Sequence, residues 1–164
     1  MRFSSILILL FITGCTIQYK FQDVQVGDAK TALIRQFTVS APLAPPTAGQ
    51  QFSIKLQDVV QTQSKLNLSP NEDADIIFDG SISRYTIAPV SVQQGDVTAQ
   101  NRLTISVNVV FTNKTDPKQN YDQSFTRFAD FASSSDISQV QDQLLEEIYD
   151  LISQDVFNKA FSSW

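Results

Sequence analysis

A chain of 164 residues is long enough for one domain with a modest core, and 42% hydrophobic against 18% charged residues makes it globular rather than disordered. The formal net charge of −5 argues against general nucleic-acid binding, which needs a basic surface. Histidine is absent and the single cysteine is Cys15, which removes most metal sites, the usual Ser–His and Cys–His pairs and any internal disulfide. Neither a metal nor a cofactor is expected, and the scattered carboxylates make an enzyme a minority reading.

Met1-Arg2-Phe3 carries one positive charge, and Ile6 to Ile12 is an uninterrupted apolar run. The run is too short for a permanent membrane span but suits the core of a signal peptide. It ends in Ile12-Thr13-Gly14-Cys15, which resembles the lipobox of bacterial lipoproteins. The resemblance implies cleavage after Gly14 and a covalent lipid on Cys15, with an ordinary secreted protein bearing a free thiol as the competing reading. Removing residues 1–14 takes away one Arg and no acid, leaving 11 basic and 17 acidic residues, or −6. Acyl chains on Cys15 would anchor the chain stably, at about 0.8 kcal/mol per buried methylene. Thr16 rather than Asp follows the cysteine, which by analogy with lipoprotein sorting permits outer-membrane delivery. Residues 15–30 read as a lipidated tether with an extended piece at Ile17–Val26, and residues 31–164 as a single domain.

Within that domain, Thr31–Ser40 carries Leu33, Phe37 and Val39 in one phase and predicts a first strand, ended by Pro42, Pro45 and Pro46. Gly49–Leu66 changes to helical spacing, with Phe52, Leu56, Val59 and Leu66 near one face. Its polar face lacks a Lys/Arg excess, so packing on a sheet is preferred to lying on a membrane. Ser69–Asp73 is a turn. Ala74–Val90 predicts a strand pair or one long strand, and a phase switch around Gly80–Arg84 predicts a bulge there. Gln93–Asp96 makes a hairpin connection into Asn101–Asn113. In that stretch Leu103, Ile105, Val107, Val109 and Phe111 alternate without a break, which predicts the central strand. Asn113–Asn120 turns, and Tyr121–Phe131 returns as another strand. Asp136 is placed to cap a helix running to about Phe161, with Gln139 in capping-box position. Trp164 ends the chain, but four or five strands cannot close a transmembrane barrel. The expectation is an α+β fold: a small, mostly antiparallel sheet of about four strands with two helices on one face.

The same segments carry a family resemblance. The lipobox at Cys15, Tyr85 leading to Ala88-Pro89-Val90, Asn101–Ile105, Phe125–Phe131, Gln143–Ile148 and Asp155–Ala160 together resemble a divergent LptE-like lipopolysaccharide-assembly lipoprotein. The resemblance implies an outer-membrane, periplasm-facing lipoprotein. It would plug an LptD-type barrel, help it assemble, and take part in inserting lipopolysaccharide into the outer leaflet. It implies no catalytic residues. Arg84, Arg102 and Arg127 lie on three predicted strands, and together they offer a candidate site for lipopolysaccharide phosphates, since guanidinium bonds phosphate in pairs. Against that stands the plainer reading that each blunts an edge or pairs with an acid such as Asp79 or Asp130. Two other functions compete. An independent periplasm-facing binding module would hold an empty apolar pocket between sheet and helices, and a hydrolase would use Asp75, Asp79 and Asp130.

Overall fold

The strand Gln100–Asn113 organises the domain, as its alternation requires. In the computed structural model, which describes residues 26–90 and 99–162, Leu103, Ile105, Val107, Val109 and Phe111 are all at most 1% exposed. They lie beneath two helices. The elements in order are β1 (Thr31–Ile34), β2 (Thr38–Val39), α1 (Ala48–Gln63), β3 (Asn67–Leu68), β4 (Ile76–Val90), β5 (Gln100–Asn113), β6 (Tyr121–Ala132) and α2 (Ile137–Phe161). The tether around Cys15, the Gln93–Asp96 connection and Trp164 lie outside the described residues.

The class is α+β, but the sheet has six strands and is mixed rather than four-stranded and mostly antiparallel. Its order is β3-β1-β4-β5-β6, with β2 also pairing β4. β4–β5 and β5–β6 are antiparallel, whereas β1–β3, β1–β4 and β2–β4 are parallel. The parallel pairs follow from α1: a helix inserted between two strands is the crossover that parallel pairing requires. The extra strands arise because the expected first strand is two. The Arg35 N–H still donates to the Phe78 carbonyl of β4 at 2.9 Å, but the chain then leaves β4, and the Phe37 N–H donates to the Ser53 hydroxyl on α1 at 2.8 Å rather than to a strand. This break inverts the phase, so Leu33 joins a small cluster with Ala74 and Ile77 while Ala32, Ile34 and Phe37 enter the main core.

Two glycines permit that detour. A Cβ on Gly49 would sit 2.0 Å from the Phe37 carbonyl oxygen, and one on Gly80 would sit 2.0 Å from the Asn108 oxygen and 2.7 Å from the Phe37 ring. Phe37 is therefore wedged between α1 and β4, edge-on to Phe52 at 4.9 Å. β4 is one 15-residue strand, and its register shifts between Ile82 and Arg84. That is the expected bulge, and it turns Tyr85 onto the helix face after Ile76, Phe78 and Ile82.

Both helices cover the same face of the sheet. Phe52, Leu56, Val59 and Val60 of α1 and Leu144, Ile148, Ile152 and Val156 of α2 enter one core with the odd residues of β5. Leu66 is buried as expected, though beyond the end of α1. The Asp136 carboxylate caps α2 by accepting from the Ser138 N–H at 3.0 Å, and Gln139 donates its own backbone N–H to the Asp136 carbonyl. The turn after β5 is built on Asn113, whose side-chain oxygen accepts from Thr115 and Asp116 and whose amide donates to Gln119.

Candidate interaction surfaces

The pleat sorts the three candidate arginines. Even residues of β5 and β6 point away from the helices, and β4 joins that parity beyond its bulge. Arg84 and Arg102 therefore lie on the open face of the sheet, and Arg127 lies on the helix face. The three do not converge. Arg102 meets Asp130 through two bonds of 2.7 and 2.8 Å, and its guanidinium stacks 3.7 Å over the Phe128 ring. That pair raises the Arg102 pKa and lowers that of Asp130. Arg127 meets Asp155 of α2 at 2.6 and 2.8 Å, which raises its pKa in the same way. Among the described residues Arg84 forms no ion pair. Arg102 and Arg127 each pair with an acid, as the plainer reading expects. Asp130 was visible as a partner in the sequence, but Asp155 was not, because its meeting with Arg127 depends on how α2 lies over β6.

The open face is hydroxyl-rich. Across the strands run the rows Arg84–Ser106–Thr126, Thr86–Thr104–Phe128 and Ala88–Arg102–Asp130. Ser106 and Thr126 bond through their hydroxyls at 2.8 Å. Phe128 and Val110 are the large exposed apolar side chains there, at 49% and 40%. This is a polar surface that carries hydroxyls, Arg84 and the Arg102–Asp130 pair.

The opposite layer differs. Between α1 and α2 a shallow cavity of about 200 Å³ is lined by Gln51, Lys55, Asp142, Leu145, Glu146 and Tyr149. Lys55 bonds Asp150 at 2.7 Å, which raises its pKa, and Gln63 and Gln154 exchange side-chain amide bonds at 2.8 and 3.0 Å. The interface between helices and sheet is filled by rings: Phe52 against Phe37 and Tyr149, and Phe78 and Phe111 against Phe161. Among the described residues this is a packed core rather than the empty apolar pocket of a carrier. Among the described residues the buried Tyr149 and Ser153 hydroxyls have no partner, and burial pushes the Tyr149 phenol up.

The carboxylates named for a hydrolase are occupied separately. Asp75 accepts from the Lys30 and Thr31 N–H groups and the Thr31 hydroxyl, at 2.8–3.0 Å. Asp79 takes Arg35, which also holds Glu72. Among the described residues no group of three or more acidic, His or Cys side chains is placed to hold a metal.

The lipopolysaccharide-assembly (LptE) family model matches residues 21–160. The chain belongs to this LptE family. Solved structures share the fold at low identity. A minor lipoprotein from Acinetobacter baumannii is 14% identical, with a TM-score of 0.52 over 80% of this chain and 91% of its own. A protein from Chlamydia trachomatis is 14% identical, with a TM-score of 0.53 over 82% and 99%. A protein from Xanthomonas campestris is 11% identical, with a TM-score of 0.51 over 79% and 81%. No curated protein matches the chain. Among the described residues, no helix of this LptE-family chain is long and apolar enough to cross a membrane.

Proposed function

We propose that this LptE-family chain is an outer-membrane lipoprotein, anchored by a covalent lipid on Cys15 after loss of residues 1–14. Residues 15–30 then tether the 31–164 domain on the periplasmic side. There it plugs an LptD-type barrel, helps that barrel assemble, and takes part in delivering lipopolysaccharide to the outer leaflet. The observation that carries this reading is the family match across residues 21–160. The physical form supports it: a plug needs a filled core and a polar exterior that tolerates a wet lumen, and the hydroxyl-rich face of β4–β6 has that character. Arg84 is the arginine best placed to meet a lipopolysaccharide phosphate directly, because Arg102 and Arg127 would first have to release their carboxylates.

Depletion in the native host tests the reading. The expected outcome is a misassembled barrel and loss of lipopolysaccharide from the cell surface. Normal barrel assembly together with normal surface lipopolysaccharide would contradict it.

A further inference from the structure

The backbone of β6 is an open template. Beyond β6 in register, the Ser133 N–H donates to the Ala99 carbonyl at 3.0 Å, one step past the Gln100–Ala132 pair. In an antiparallel ladder successive residues alternate between facing the partner and facing away. The β5–β6 register runs without a shift, so the odd residues of β6 bond to β5. Asp122, Ser124, Thr126, Phe128 and Asp130 therefore aim their N–H and C=O groups outward, and all five are exposed. Among the described residues no other strand pairs with β6.

The other edges of the sheet are short, bulged or interrupted by proline, whereas β6 is long and regular. β3 has two residues, and the half of β4 beyond β2 carries a bulge and Pro89. β6 offers 12 residues, about 40 Å, without proline or bulge. Exposed apolar side chains flank it on both faces. Phe128 stands on the open face, and Leu151, 42% exposed, lies one turn before Asp155, the residue of α2 that holds Arg127. A strand added to this edge would cover both.

We infer that β6 is the docking edge for an extended strand of the barrel partner, one with alternating apolar residues and a Lys or Arg on its helix-facing side. Charge selects this occupant over a second copy. α2 carries Asp142, Glu146, Glu147, Asp150 and Asp155 against Lys159, and pairing β6 with itself would lay two such helices side by side. The source of the strand rests on the barrel reading above, whereas the edge rests on the backbone geometry.

The test uses the tagged full-length chain extracted in mild detergent. Ser124→Pro removes an outward N–H and places a ring on the edge without touching a β5 bond; Ser124→Ala is its control. The expected result is about a tenfold or greater fall in co-purified barrel for Ser124→Pro, with its Tm close to that of Ser124→Ala. A photo-crosslinker at position 124 should label the barrel, and one at Gln61 on α1 should not. If Ser124→Pro unfolds the domain, the crosslink at 124 decides. Undiminished barrel recovery by folded Ser124→Pro would overturn the inference, as would crosslinks from 124 to the chain's own residues 16–25 or to a second copy. Absence of barrel from the wild-type preparation would instead overturn the barrel reading, and the source of the strand with it.

Discussion

Tyr149 is 3% exposed and its hydroxyl has no partner among the described residues, so this residue costs stability in proportion to an unpaired buried donor. Tyr149→Phe should keep the edge-on contact with Phe52 at 5.5 Å and raise the unfolding free energy by about 1 kcal/mol, read by urea denaturation. A loss of stability would mean that the hydroxyl is satisfied in solution. Phe52 itself is fully buried between Phe37 and Tyr149, and Phe52→Ala should cost about 3–5 kcal/mol in the same assay. Asp75 sets a pH dependence. Hydrogen bonds from Lys30 and Thr31 hold its pKa below the ordinary carboxylate range. Its contribution is therefore complete above the unfolded value of about 3.9 and is lost as pH falls through the depressed folded value. Asp75→Asn should flatten the acid limb of a stability–pH curve while leaving the slope above neutrality unchanged.

At the scale of elements, α1 docks where Gly49 lets the helix touch the Phe37 carbonyl. Gly49→Ala should cost about 1–3 kcal/mol by overpacking, even though alanine is the better helix former, whereas Gln50→Ala on the exposed side should be near neutral. Comparing the two Tm values separates a close approach from helix propensity. The strong periods were readable in advance: β5, both helices and the phase switch in β4 all came from local alternation. The first strand was not, because Leu33, Phe37 and Val39 share a parity that the detour at Arg35–Phe37 breaks, and the hydroxyl that stabilises the detour comes from Ser53 on another element. The parallel pairing carried a usable signal, since a helix between two strands demands a crossover. β3, two residues long, is below what periodicity detects.

For the whole molecule, the layers divide the work: rings fill the space between helices and sheet, the open sheet face is polar, and α2 concentrates acid. Family membership was legible because its signal is spread over several contiguous segments, and the family match spans residues 21–160. The expected arginine cluster was not realised, because the pleat puts Arg127 on the face opposite Arg84 and Arg102, a consequence of register that no single segment encodes. The proposed anchor makes its own prediction: Cys15→Ser should move the folded chain from the membrane pellet to the soluble fraction, since no lipid would then hold it.

The most direct measurement is affinity purification of the C-terminally tagged lipoprotein from membranes in mild detergent. The account predicts recovery of a large, heat-modifiable barrel protein in roughly equal amount. Recovery of the lipoprotein alone, from membranes that contain the barrel, would contradict it.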